Sequence, residues 1–243
     1  MTALDILNQA LAELVQPEVT TFDPEGNDPN LRPETDSGMA LARIYERVVS
    51  KVQRSFPWQE LTTSLKFANP VTQTQDGWYR FQLGSLGILR PLECYSAFGS
   101  AEDHPNTMEV VAGEDGSITL EPVRKVKPTT LTKLILPAQD EPMEYRIEQN
   151  TLLAPTEQVL MRAIVQDNNP DNWSSELADC VICKLAADGA LAAGRDAQLA
   201  QMLASKYSTE VFPQAKRLQS RYKQGVKYMP WGGKHPLRGR VRG

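Results

Sequence analysis

The residues best suited to chemistry in this 243-residue chain are cations and aromatics near its C-terminus, and the chemistry they suit is docking. Nine basic residues, Lys216, Arg217, Arg221, Lys223, Lys227, Lys234, Arg238, Arg240 and Arg242, follow the last acidic one, Glu210. The chain has 26 Lys and Arg against 30 Asp and Glu, so removing these nine leaves 17 cations facing 30 carboxylates, and a body of about −13 ends in a +9 appendage. Like charges gathered in a block stay solvated and often serve as interaction arms. Arg238, Arg240 and Arg242 alternate with uncharged residues, so an extended segment points all three one way, toward a row of carboxylates or phosphates. Tyr228 and Trp231 supply aromatic anchors of the kind enriched in binding hot spots, and Lys234 stands between them and the arginines. On residue types alone three readings stay open: a solvated end, a grip on a protein partner, and a nucleic-acid clamp that stacks bases on its aromatics. The acidic body opposes a broad DNA face.

Other reactive groups fall into no working pattern. Cys94, Cys180 and Cys183 are an odd set, which argues against a disulfide framework. Cys180-x-x-Cys183 has half the spacing of a zinc or redox motif but sits in a helical pattern, with no second cysteine pair or nearby His to complete a ligand set, so buried small residues are expected. His104 and His235 both adjoin proline in irregular segments. No G-x-S-x-G elbow, G-x-x-x-x-G-K-[ST] loop or G-x-G-x-x-G turn is present, which disfavours nucleotide chemistry. Glu102-Asp103 and Glu114-Asp115 lie in loop-like stretches without the apolar surroundings that raise a carboxyl pKa, and read as solvated charge. The expectation is a non-enzymatic protein with no catalytic residues, no cofactor and no metal.

Length allows one sizeable core, or a core with a second small layer. Apolar runs fall far short of the roughly 20 residues that cross a bilayer, and Met1-Thr2-Ala3-Leu4-Asp5 lacks a signal-peptide pattern, so no membrane association and synthesis in a cytoplasm are expected.

The elements that must position the docking segment can be read from periodicity. Leu4, Leu7, Leu11, Leu14 and Val15 predict a first helix, with Thr2 and Asp5 spaced as a capping box and Pro17 ending it. The Pro- and Asp-rich stretch to Pro33 reads as an exposed acidic loop, longer than ordinary connections. Leu41, Ile44, Tyr45, Val48, Val49, Val52 and Phe56 predict a second helix from about 37 to 55, stopped at Pro57, with Trp58 plugging the core. Short β-like runs follow, at 62–67, 78–83, 92–98, 109–111, 117–120, 131–136, 144–148, 151–153 and 159–165, with a turn at Gln149-Asn150; their spacing predicts hairpins and a mainly antiparallel sheet. Helical texture resumes near Trp173, with Gly189 and Gly194 marking a break, and a last helix carries Ala200, Leu203, Tyr207, Val211, Ala215, Leu218 and Tyr222, kinked at Pro213. The fold class is therefore α+β: a helical bundle from 1–60 and 166–224, an inserted mainly antiparallel β layer at 61–165, and an extended C-terminal tail at 225–243 whose 19 residues reach roughly 60 Å.

The order of these features resembles a known family. Leu7-Asn8-Gln9-Ala10-Leu11-Ala12-Glu13-Leu14 before an acidic loop, then Ala42-Arg43-Ile44-Tyr45 running into Ser55-Phe56-Pro57-Trp58, is similar to the start of bacteriophage head-to-tail connector adaptors, the tail tubular protein A and tail accessory factor family. Tyr79 to Leu83 and Leu89 to Tyr95 resemble its strand pair, Tyr145 to Pro155 its late hairpin, and the Ala-rich Leu177 to Tyr207 its closing helices, so the likeness spans most of residues 4 to 222 and includes no catalytic motif. It implies a structural virion protein, made in the host cytoplasm, that forms a dodecameric ring on the portal protein, extends the channel for double-stranded DNA and provides the attachment site for tail (nozzle or tube) proteins. By position, the tail segment with Tyr228, Trp231, Lys234, Arg238, Arg240 and Arg242 would grip the portal. The subunit is then expected to be monomeric alone, with the tail and the loop at 17–35 ordering as they bind. The alternative is a nucleic-acid-binding accessory protein whose basic tail holds phosphates.

Overall fold

The computed structural model describes residues 1–24, 27–68, 70–74, 76–84, 86–96, 107–112, 118–122, 142–193 and 196–224. Helix α1 (Ala3–Glu13) opens with the expected capping box: Thr2 Oγ1 accepts from the Asp5 amide at 3.2 Å, and the Asp5 carboxylate accepts from the Thr2 amide at 2.7 Å. This satisfies two of the donors that a helix start leaves orphaned. Helix α2 (Asp36–Ser55) is capped by Thr35, whose hydroxyl accepts from Gly38 N–H at 3.0 Å. Its apolar stripe of Leu41, Tyr45, Val48, Val49 and Val52 is buried.

The segment between these helices is mostly exposed, as the sequence predicts, but it is anchored to the body. Val19 and Pro33 are buried, Phe22 packs edge-on against Tyr45 at 5.1 Å, and the Asn8 side chain clamps Val19 from both sides, donating to its carbonyl and accepting from its amide, each at 2.9 Å. Asp28 caps a one-turn 3-10 helix, Pro29–Leu31. Three isolated apolar anchors without a period leave no sequence pattern, yet they hold this stretch to the body without a partner. Gly38 makes room for them, since a Cβ there would lie 2.7 Å from Val19 Cγ1 and 2.9 Å from Pro33 Cβ.

Among the described residues the inserted β region holds two sheets rather than one layer. Strands β1 (Thr62–Phe67), β2 (Thr72–Gln73), β3 (Tyr79–Gln82), β4 (Ile88–Ser96), β5 (Thr107–Ala112), β6 (Ile118–Pro122), β7 (Arg146–Glu148), β8 (Thr151–Ala154) and β9 (Val159–Val165) form a five-stranded sheet ordered β4-β9-β1-β5-β6 and a four-stranded sheet ordered β2-β3-β8-β7. Every pairing is antiparallel except β1 with β5. The run predicted at 131–136 lies outside the described residues, whereas the two-residue β2 is too short to leave a pattern. Gln149 takes a positive φ of 55° in the predicted turn, and Asn150 ties it to Gly84 O at 2.9 Å. Pro91 is tolerated because β4 is an edge strand that also bends, with register shifts on either side of it.

Alternation along β9 shows how the layers stack. Val159, Met161 and Ala163 join the cluster shared with Phe81 of β3 and Leu152 and Ala154 of β8, while Ile164 joins the helical cluster with Trp58 and Leu61. The larger sheet therefore lies between the helices and the smaller sheet, which is why β9 reads as a nearly continuous apolar run. Gln53, fully buried, pins α2 to the segment leaving β9: its Nε2 donates to Asp167 O at 2.7 Å and its Oε1 accepts from Asp167 N–H at 3.3 Å.

Helix α3 (Ser175–Ala193) runs straight through Gly189, the first of the two glycines predicted to mark a break, and ends at Ala193, next to the second. Gly189 is instead the contact point with α2, because a Cβ there would sit 2.1 Å from Leu41 Cδ2. Gly189→Val is expected to lower stability by about 1–3 kcal/mol through overpacking, as read from a denaturation midpoint. Pairing it with Leu41→Ala should cost less than the two single changes summed, because each change relieves the other. The close approach expected of the Ala-rich stretch is present here.

Helix α4 (Ala197–Lys206), capped by Asp196, passes through a π-helical turn, Tyr207–Val211, into α5 (Phe212–Gln224). The disturbance predicted at Pro213 appears just before it: Phe212 N–H reaches back to Tyr207 O, five residues away, and the widened turn accommodates a ring that would clash with the carbonyl of a regular helix. Tyr207 and Phe212 stack across the turn at 5.5 Å, and Lys216 Nζ lies 4.1 Å from the Phe212 ring centroid.

Candidate functional site: an acidic cleft beside the root of the tail

The end of α5 decides where the chain leaves the body. Gln219, 2 % exposed, accepts from Gln59 N–H at 3.3 Å and donates to Glu60 Oε2 at 3.4 Å and Ser174 Oγ at 3.2 Å. Ser174 in turn accepts from Leu177 N–H at 3.3 Å at the start of α3, and its own amide donates to Glu60 at 3.2 Å. This network fastens the root of the C-terminal segment to the first turn of α3 and to the link after Trp58. The predicted docking residues Tyr228, Trp231, Lys234, Arg238, Arg240 and Arg242 lie outside the described residues, as do His104, His235, Glu102-Asp103 and Glu114-Asp115.

Beside that root, α1, α3 and the α4–α5 arm enclose an open cleft of about 660 Å³. Ile182 and Cys183 of α3 and Ala215 and Leu218 of α5 give it an apolar floor. Glu13, Glu176, Asp179 and Lys206 supply its charges. Lys206 Nζ sits 2.9 Å from both carboxylate oxygens of Glu13, and that bond raises its pKa, so the two charges cancel. Glu176 and Asp179, spaced i,i+3 on one face of α3, pair with no Lys or Arg among the residues whose side chains are described. Partial burial, with Glu176 nearby, raises the Asp179 pKa. A carboxylate in that state gains when a cation arrives.

This cleft is the feature that reading the sequence missed. Its signal was present in Glu176 and Asp179, about two turns and one turn before Ile182 and Cys183 on the same helix, but the walls come from segments as far apart in sequence as Gln9 and Leu218 and only folding brings them together.

The three thiols are buried, as the sequence predicts for Cys180 and Cys183. Cys94 and Cys180 are fully buried, which pushes each up to about 12, and burial likewise raises Cys183. Native protein at about pH 8 is therefore expected to resist a thiol reagent at all three positions, with full labelling after denaturation. Rapid native labelling of Cys183, which borders the cleft, would contradict this packing. Among the described residues no group of three or more His, Cys, Asp and Glu is placed to hold a metal ion, and no helix is long and apolar enough to cross a membrane.

Fold and site together define an α+β protein with an acidic cleft next to the origin of a basic segment. No protein-family model matches the chain, and no curated protein matches it in sequence.

Proposed function

We propose that this chain is a non-enzymatic subunit of a phage head-to-tail adaptor: a ring that seats on the portal, extends the DNA channel and offers the attachment site for tail proteins. One observation carries the reading most. The elements follow the order that the resemblance implies, with an Asn8-anchored first helix, a 20-residue second helix ending at Phe56-Pro57-Trp58, an inserted β region with a late β7–β8 hairpin, and an Ala-rich α3 leading into a long helical arm. A stacked body with its chain leaving from one fixed corner suits a ring component, since neighbouring copies then project their basic segments in the same direction.

The physical tasks divide by charge. Arg238, Arg240 and Arg242 pair with portal carboxylates through charge-assisted bonds, and the tail aromatics fill apolar recesses. The acidic body suits a channel because like charge keeps passing DNA from adhering. A portal ring multiplies each weak tail contact by holding all copies at high local concentration, so a dilute monomer assembles only there. In the virion the protein would sit between the portal and the tail.

Sedimentation of the protein with and without candidate portal rings tests this. Saturable co-sedimentation with a dodecameric complement is expected. A protein that ignores the portal but binds DNA through its basic end, with affinity falling steeply as salt rises, would favour the accessory nucleic-acid-binding reading instead.

A further inference from the structure

We propose that α5 is a hinged latch, pivoting on the π-helical turn at Tyr207–Val211, whose release frees the direction in which the C-terminal segment leaves the body. The inference goes beyond the adaptor reading and does not depend on what the segment binds.

The turn is built as a pivot. None of its five side chains is fully buried, and Ser208, Thr209 and Glu210 are exposed, so packing does little to fix its shape. Phe212 N–H bonds five residues back, to Tyr207 O, and Pro213 has no N–H with which to continue the regular ladder. The hydroxyls of Ser208 and Thr209 donate to Ser205 O at 3.1 and 2.8 Å, a back-bonding that bends helices. On the near side of the pivot α4 is held: Asp196 caps it, Leu203 is buried, and Lys206 pairs with Glu13 at 2.9 Å.

Beyond the pivot the hold is mostly polar. Among residues 212–220, whose side chains are described, Ala215 and Gln219 are the buried ones, a methyl and an amide. Helix α3, by contrast, buries Leu177, Val181, Ile182 and Leu185. Gln219 meets Gln59, Glu60 and Ser174 through bonds of 3.3, 3.4 and 3.2 Å, at the long end of the ordinary range, and Lys216 Nζ lies 5.9 Å from the Phe56 ring centroid. Water can replace contacts of this kind, as it cannot replace a buried apolar stripe. Helix α5 has 13 residues, too few for a stable helix alone in water, and it carries Lys216, Arg217, Arg221 and Lys223 with no acidic residue to pair them within the helix. Its helical state therefore depends on its seat, and loss of the seat releases it as one unit back to the pivot.

Seated, α5 fixes the corner from which the basic segment leaves. Released, it takes Ala215 and Leu218 out of the cleft floor, withdraws Gln219 from Glu60 and Ser174, and turns residues 225–243 toward another direction.

Hydrogen exchange of the full-length chain, read by mass spectrometry on peptides from α3, α4 and α5, tests the latch. Wild-type α5 amides are expected to be at least about 30-fold less protected than those of α3, with the step falling at Tyr207–Val211. Gln219→Ala should lower α5 protection about 10-fold further and leave α3 and α4 within about twofold. Lys216→Ala, at a half-buried position outside both buried clusters, should lower α5 protection about threefold, again without touching α3. Equal protection of α5 and α3 would overturn the proposal, because the arm would then open only when the whole chain unfolds. A smooth decline from α4 to Gln224 would overturn it as well, since that is fraying from the end with no pivot. So would a Gln219→Ala chain in which α5 is unchanged, or in which all three helices lose protection alike. No portal enters this measurement, so its failure leaves the adaptor reading standing, and bare portals in a binding assay leave the latch standing.

Discussion

Deleting residues 225–243 is expected to leave a folded body that no longer binds the portal. The deletion removes five cations, Lys227, Lys234, Arg238, Arg240 and Arg242, leaving 21 Lys and Arg against 30 carboxylates. Among the described residues both buried clusters draw only on residues 3 to 215, and the thermal midpoint is expected to move little. Portal affinity should not survive. Truncating one member of a desolvated charge pair costs about 2–5 kcal/mol, so the loss of three arginines exceeds about 1000-fold per subunit, before the ring multiplies it. R238A/R240A/R242A in the full-length chain should reproduce most of that loss and flatten the salt dependence of binding. Equal portal affinity for the truncated and intact proteins would remove the tail from the account.

Trp58→Ala is expected to be the most damaging single change to the body. Trp58 is fully buried, donates its indole N–H to Val52 O at 3.1 Å, packs edge-on against Phe56 at 5.3 Å, and accepts at its own carbonyl from Thr62 Oγ1 at 2.6 Å. It sits where α2 hands over to β1, so its removal opens a cavity between the helices and the larger sheet. Such a loss costs about 3–5 kcal/mol and should lower the melting midpoint by about 10 °C in a chain of this length. Trp58→Phe should cost less, because it keeps much of the volume and forfeits one hydrogen bond. An unchanged midpoint for Trp58→Ala would mean that the indole is not the core plug that both its burial and its position after Pro57 indicate.

Local signals were legible in the sequence and close encounters between distant segments were not. Capping at Thr2, the apolar stripe of α2, the Gln149-Asn150 turn and the whole of β9 follow from spacing alone, because each is fixed by neighbours within a few residues. Gly189 was misleading for a physical reason. A glycine in a helical pattern signals a stop when nothing packs on it, but here it admits Leu41, a residue 148 positions earlier, and the helix continues. The loop between α1 and α2 hid its anchors in the same way, since Val19, Phe22 and Pro33 have no period and gain meaning only against Asn8, Tyr45 and Gly38. At the candidate site, the charge asymmetry and the tail residues were readable, whereas the cleft required Glu13, Asp179 and Leu218 to be brought together by α1, α3 and α5.

The most direct test of the adaptor claim is electron microscopy of the protein mixed with its candidate portal, comparing the full-length chain with one ending at Gln224. Rings stacked on the portal with the intact chain and missing with the shortened one are the predicted result. Bare portals in both samples, with the intact chain found instead on DNA at low salt, would contradict it.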